Sequence, residues 1–194
     1  MTQIPFSQSA LLVMDFQNGI LENYPQKTEQ VLPKVSKAID FARQVGIEVF
    51  YVRVAFRANY PELSMNNTFF SAIAKSGDLF NQDGPSTQIH SSIKPQEGEV
   101  IITKRRVSAF AGSDLDVLLR AKDIKRLILS GVSTSGVVLS TIRAASDLDF
   151  SLVVLKDACL DPDDEVHKVL TEKVFVRQAE VVNVEEWISL EQKK

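Results

Sequence analysis

The sequence predicts an α/β fold in which a parallel sheet carries helices on both faces, and three observations lead there. Apolar runs such as SALLVM (9–14) and LIL (127–129) have the continuous character of strands buried on both faces. Stretches with apolar residues at helical spacing and clear start and stop signals lie between them. Strands that alternate with helices in this way require right-handed crossovers and hence parallel neighbours.

Taken in order, Ser9–Asp15 is the first strand and ends in an acid; Gln17, Asn18 and Gly19 follow as a polar turn. A helix is expected from near Pro33, as its N1 residue, to Gly46, with Val35, Ala38, Ile39, Ala42 and Val45 facing inward. Ile47–Ala55, rich in β-branched and aromatic residues, is the second strand. From Phe56 to Gly98 the sequence is polar and punctuated by Pro and Gly, with one short helix near Thr68–Lys75 capped by Asn67. So long a connection in a compact domain usually forms a wall or lid, and its aromatics Phe56, Tyr60, Phe69 and Phe70 are candidates for a pocket.

Glu99–Lys104 is the third strand, closing on a lysine. Ser113 and Asp116 open a helix over Asp114–Lys122, Arg126–Ser130 is the fourth strand, and Phe150–Lys156 the fifth. Asp161, Pro162, Asp163 and Asp164 combine a cap, an N1 proline and acids at the positive end of a helix dipole; Val166, Leu170 and Val174 are the expected core stripe of that helix. Ala179–Asn183 is a short sixth strand, and Val184–Leu190 a terminal helix carrying the sole tryptophan, Trp187.

The most informative stretch is LILSGVSTSGVVLST (127–141), read as strand, tight turn and helix. Ser133, Thr134 and Ser135 can all cap the helix, and Val137, Val138, Thr141, Ile142 and Ala145 give it an inward face. Such a turn is expected to aim free backbone N–H groups beyond the strand ends, where they suit an anion or an oxyanion. Gly131 and Gly136 have P-loop spacing, but Val137 and Val138 stand where Lys and Ser/Thr are required, and no GxGxxG follows a strand. Ligands of parallel sheets bind beyond the carboxyl ends of the strands, so Asp15, Lys104 and the turn after Gly131 form the candidate site.

With 194 residues, 44% of them hydrophobic, the chain suits one domain over 1–194. A net charge of −3, with Lys104–Arg106 as the sole basic cluster, argues against nucleic acid or an anionic membrane as partner. No signal peptide or membrane span is read, and a single cysteine, Cys159, excludes an internal disulfide framework, so a reducing cytoplasm is the expected address. His90 and His167 are expected to face solvent rather than to pair as ligands.

Four segments, LLVMDFQNG, TKRRVSAFAGSDLDVLLR, LILSGVSTSGVVLSTIRAA and VVLKDACLDPDDEVHKVL, together resemble the isochorismatase-like (cysteine hydrolase) superfamily, in order and spacing over nearly the whole chain. The resemblance implies a three-layer α/β/α Rossmann-like fold with a six-stranded parallel sheet in order 3-2-1-4-5-6. It implies a site built from an acid (Asp15), a lysine (Lys104) and a cysteine nucleophile on the first turn after strand four, and a non-proline cis peptide at Val132–Ser133.

Matching Gly131, Val132 and Thr134 to Gly-Val-x-Thr-x-x-Cys puts Val137 at the nucleophile position, where an isopropyl group cannot attack a carbonyl. Cys159, after strand five, does not replace it and reads as a small buried hydrophobe. Isochorismatases proper also lack that cysteine and use the aspartate to protonate a vinyl ether. The resemblance therefore implies a hydrolase acting on a small organic substrate, with Asp15 as general acid/base and Lys104 as charge partner, or a member that keeps only a binding pocket. Ser133 and Thr134 are candidate substrate hydrogen-bonding groups, and Arg53, Phe56, Tyr60 and Phe110 candidate pocket walls. Nicotinamidases of the superfamily carry an Asp/His metal site after strand two; VRVAFRANYPE has no such set, so no metal or cofactor is expected. A dimer or tetramer is expected by the same resemblance.

Overall fold

The computed structural model describes residues 4–75 and 77–193. Six strands, β1 (Ser9–Met14), β2 (Glu48–Val54), β3 (Val100–Lys104), β4 (Arg126–Val132), β5 (Ser151–Leu160) and β6 (Glu180–Val182), form one parallel sheet in the order 3-2-1-4-5-6. The expected fold class and strand order are both found. β1 and β4, at the switch point, are buried at every position, as their unbroken apolar runs require.

One face of the sheet is covered by α2 (Pro25–Val45) and α7 (Val184–Glu191), which bury Val35, Ile39 and Trp187 against Leu11, Val13 and Ile128. The other is covered by α4 (Leu115–Ala121) and α5 (Leu139–Asp147), which bury Leu119, Ile142 and Ala145 against Leu12, Met14 and Leu129. Trp187 meets the Phe41 ring edge-on at 5.1 Å. A buried bidentate pair, Arg126 with Glu191 at 2.9 and 3.2 Å, ties α7 to the start of β4.

Three boundaries differ from expectation, each for a physical reason. The turn at 17–19 is the start of a single helical turn, α1 (Asn18–Leu21). The long helix begins at Pro25, not near Pro33; Pro33 lies inside it on the exposed face, where the loss of one backbone donor costs least. Gly46 closes the helix in the left-handed conformation, φ 76°, as a terminal glycine should.

In α6 (Asp164–Val169) the cap is Asp163, which accepts from the amides of Glu165 and Val166, and Pro162 precedes it. The expected stripe shifts as well: Val166 is exposed, and this segment packs through Leu170, Val174 and the buried Phe175. Leu170 to Val174 is a π-helical turn, which rotates the inward face away from the simple helical spacing.

β4 and β5 run further than read. Leu129 pairs with Val154 but Gly131 with Cys159, so β5 carries an irregularity over 155–158. The Ser130 hydroxyl donates to the Ala158 carbonyl at 2.9 Å and fixes it. The extended β5 delivers Asp161 beside the turn that follows β4. The connection over 56–99 contributes α3 (Thr68–Ala74), capped as expected by Asn67, which accepts from the Phe70 amide.

Candidate active site

Asp15 follows β1 with φ 61°, in the left-handed region that Asp tolerates better than most residues. Its amide donates to the Val52 carbonyl at 2.8 Å, and the neighbouring Gln17 side chain grips Val54 at both N–H (2.7 Å) and C=O (2.9 Å). Val54 is level with Lys104 in the β2–β3 ladder. Lys104 thereby reaches across the end of β2: its Nζ lies 2.9 Å from Asp15 Oδ2 and donates to the Arg106 carbonyl at 3.0 Å. Both side chains are buried, and Asp15 Oδ1 has no hydrogen-bond partner. Burial raises the Asp15 carboxyl above the usual carboxylate range, against the pull of the Lys104 charge.

Met14 is level with Gly131, and a Cβ on that glycine would lie 3.0 Å from Val138 Cγ2 and 3.2 Å from the Met14 carbonyl. Glycine thus lets β4 run against β1 and helix in the same step. The Val132–Ser133 peptide is cis. Ser133 Oγ then accepts from the Gly136 amide at 3.1 Å, and Thr134–Val138 forms a π-helical turn leading into α5.

The turn was expected to present free amides. One of them is taken by the protein itself: Asp161 Oδ2 accepts from the Ser135 amide at 2.7 Å, while its Oδ1 accepts from the Asp163 amide at 3.2 Å. The anion at this helix start is the protein's own carboxylate, supplied by the end of β5.

Thr134, wholly buried, has its hydroxyl 2.8 Å from Nδ1 of His167 on α6. His167 is thus half-buried against the turn rather than solvent-facing, and burial lowers its pKa. His90 is half-buried too, with Nδ1 accepting from the Ser92 amide. Among the described residues, no group of three or more His, Cys, Asp or Glu side chains has the arrangement of a metal site.

Asp15, Lys104, Ser133 and Val137 converge on one cavity of about 400 Å³. Phe69, Phe70 and Ile73 of α3, with Leu79 and Phe80, form the wall supplied by the long connection. Ile20, Tyr24, Val107 and Pro162 complete much of the rest.

Four residues read as pocket wall stand elsewhere. Arg53 points its Nε to the Thr103 hydroxyl at 3.1 Å, along the sheet. Phe56 and Tyr60 sit behind the wall, Phe56 packing edge-on against Phe70 at 5.7 Å and against Tyr60 at 5.8 Å. Phe110 packs on Phe150 at 6.1 Å over the second core. Thr134, read as substrate-binding, is committed to His167 and does not line the cavity. Leu79, Phe80 and Tyr24 were missed, because nothing in their local sequence distinguishes pocket from packing. Cys159 is buried beside Gly131 on β5, and burial pushes its thiol up to about 12.

The chain matches the isochorismatase domain over residues 9–186. It is 32% identical, over 96% of its length and 97% of the relative's, to the uncharacterized isochorismatase family protein YecD of Escherichia coli O157:H7. It is 28% identical, over 94% of its length and 79% of the relative's, to the ureidoacrylate amidohydrolase RutB of Stutzerimonas stutzeri. The fold is shared with a cysteine hydrolase structure from Pseudomonas syringae pv. phaseolicola, at a TM-score of 0.89 and 22% identity, covering 100% of this chain and 96% of that one. Fold, sheet order and sequence agree, and the chain belongs to the isochorismatase family.

Proposed function

We propose that this protein is a hydrolase of a small organic substrate, of vinyl ether or amide type, working by acid–base chemistry from Asp15 without a cysteine nucleophile. The observation that supports it most is the Asp15 carboxyl: buried, ion-paired through Oδ2 to Lys104, and without a partner at Oδ1 in the wall of a largely apolar cavity. At rest the pair is ionised, and burial enlarges the minor fraction of Asp15 that takes up a proton and can act as the acid.

With a vinyl ether, protonated Asp15 gives its proton to the terminal vinyl carbon, and the ether oxygen stabilises the resulting oxocarbenium ion. Water adds to the carbon that carries the ether oxygen and returns a proton to the Asp15 carboxylate, and the hemiketal or hemiacetal so formed collapses to a carbonyl compound and an alcohol. Lys104 stays cationic and balances the Asp15 carboxylate that the first step creates. With an amide, the Asp15 carboxylate takes a proton from the attacking water as the C–O bond forms and passes it to the leaving nitrogen as the C–N bond breaks, giving a carboxylic acid and an amine or ammonia. Val137 lines the cavity at the position where the family resemblance puts the thiol, and on this reading neither route passes through a covalent thioester.

The test is a screen of wild type beside Asp15→Asn against vinyl ethers including isochorismate, small primary amides and N-carbamoyl compounds, following product by mass spectrometry. Turnover lost in the variant supports the reading. Tight binding with no turnover by folded wild type would assign the pocket to ligand capture. The protein is expected to assemble as a dimer or tetramer in the cytoplasm, and a concentration-independent monomer mass in light scattering would contradict the assembly.

A further inference from the structure

We infer that the cavity selects neutral, apolar substrates and discriminates against those bearing a carboxylate. This rests on the cavity being the substrate site proposed above and goes on to name the class of molecule it takes.

Among the described residues, the charged side chains lining the cavity are Asp15 and Lys104. They face each other at 2.9 Å, so their charges cancel and Lys104 has no surplus to offer an incoming anion. The nearby arginines are spent on other partners. Arg105 is held by the Ala55 carbonyl, Gln82 and Glu62; Arg106 donates to the carbonyls of Arg105 and Glu62, with its guanidinium 5.8 Å from the centroid of the Phe70 ring. Arg53 lies along the sheet.

The polar side chains left are Ser133, which already accepts from the Gly136 amide, Asn23, whose Nδ2 is committed to the Gly19 and Ile20 carbonyls, and Tyr24 with its phenol, none of which supplies a counter-charge. Everything else facing the space is apolar or glycine, including the exposed rim residues Phe69 and Leu79. A carboxylate entering here would lose its water and find no counter-charge, whereas a ring or alkyl group would find matching surface. Val137 adds to this, since an isopropyl group replaces a polarisable thiol on the cavity floor.

Isosteric pairs test the inference through binding, whatever becomes of turnover. 4-Nitrophenyl vinyl ether is compared with 4-vinyloxybenzoate, and 4-nitrobenzamide with 4-carbamoylbenzoate, by calorimetry at neutral pH. The neutral member of each pair is expected to bind about ten-fold or more tightly. Leu79→Arg, at the exposed rim where it disturbs no packing in the core, is expected to narrow or reverse the preference. Asp15→Asn is expected to strengthen carboxylate binding, because it releases the charge of Lys104.

Equal affinity within the pairs, tighter binding of the carboxylate, or no binding of either neutral probe overturns the inference. Preferential binding without hydrolysis keeps it while the hydrolase reading falls. Hydrolysis of the anionic members alone does the reverse.

Discussion

The hydroxyl of Thr134 and Nδ1 of His167 lie 2.8 Å apart, joining the turn after β4 to the helix after β5. Truncation to His167→Ala leaves that buried hydroxyl without a partner, at a cost of about 1–3 kcal/mol in urea denaturation. The pH dependence carries a sign. Burial depresses the imidazole pKa in the folded state, so the unfolded chain takes the proton first. The contribution of His167 is present above the ordinary histidine range and is lost as pH falls through the depressed value. Titrating wild-type stability downward from neutral pH should show that loss, and His167→Gln should remove it.

Asp161 is the anion that the turn after β4 was built to hold, through Ser135 N at 2.7 Å. Asp161→Ala is expected to destabilise by about 1–3 kcal/mol, with Asp161→Asn costing less because the amide oxygen can still accept. Denaturation midpoints of the two variants measure the order. Equal midpoints would show that the carboxylate does not organise the turn.

Removal of the Lys104 charge by Lys104→Met strands the buried Asp15 carboxylate, at about 3–5 kcal/mol near neutral pH. The Asp15 pKa is already raised by burial, and loss of the cation raises it further. A group raised in the folded state favours folding when protonated. Its contribution is therefore present below the ordinary carboxylate range and lost as pH rises through the raised value. The variant should recover stability on acidification toward mildly acidic pH, which a denaturation series against pH will report; a deficit independent of pH would contradict the pairing.

Cys159 is buried with a thiol pushed up to about 12, so alkylation by iodoacetamide at neutral pH should leave activity unchanged. Cys159→Ala should likewise retain turnover, with a modest loss of stability from the smaller side chain. Loss of activity on alkylation of the folded protein would return a thiol to the mechanism.

The parts legible in the sequence were those that local chemistry determines. Asp15 and Lys104 are charged ends on apolar strands, and once the sheet order is in hand both must sit at the carboxyl edge near the switch point. The strands, the Gly46 stop and the Asn67 cap follow from residue-by-residue rules in the same way. What was not legible depends on partners far away in sequence. Thr134 and His167 meet because β5 bulges over 155–158, and a bulge leaves no mark that separates it from an ordinary strand. The same irregularity brings Asp161 to the turn, so the Ser135 amide that looked free is occupied. Phe56, Tyr60 and Phe110 were read as wall because aromatics suit both pocket and packing; which one they serve is settled by the path of the 56–99 connection, whose polar sequence carries little periodicity.

The central claim is that Asp15 moves the proton. The most direct measurement is the single-turnover rate of wild type and Asp15→Asn with a vinyl ether that the wild type hydrolyses, after circular dichroism shows both folded. Loss of about a hundred-fold or more in the chemical step, with substrate still bound, is the expected result. An Asp15→Asn protein that turns over at the wild-type rate would contradict the account and place the proton transfer on another group.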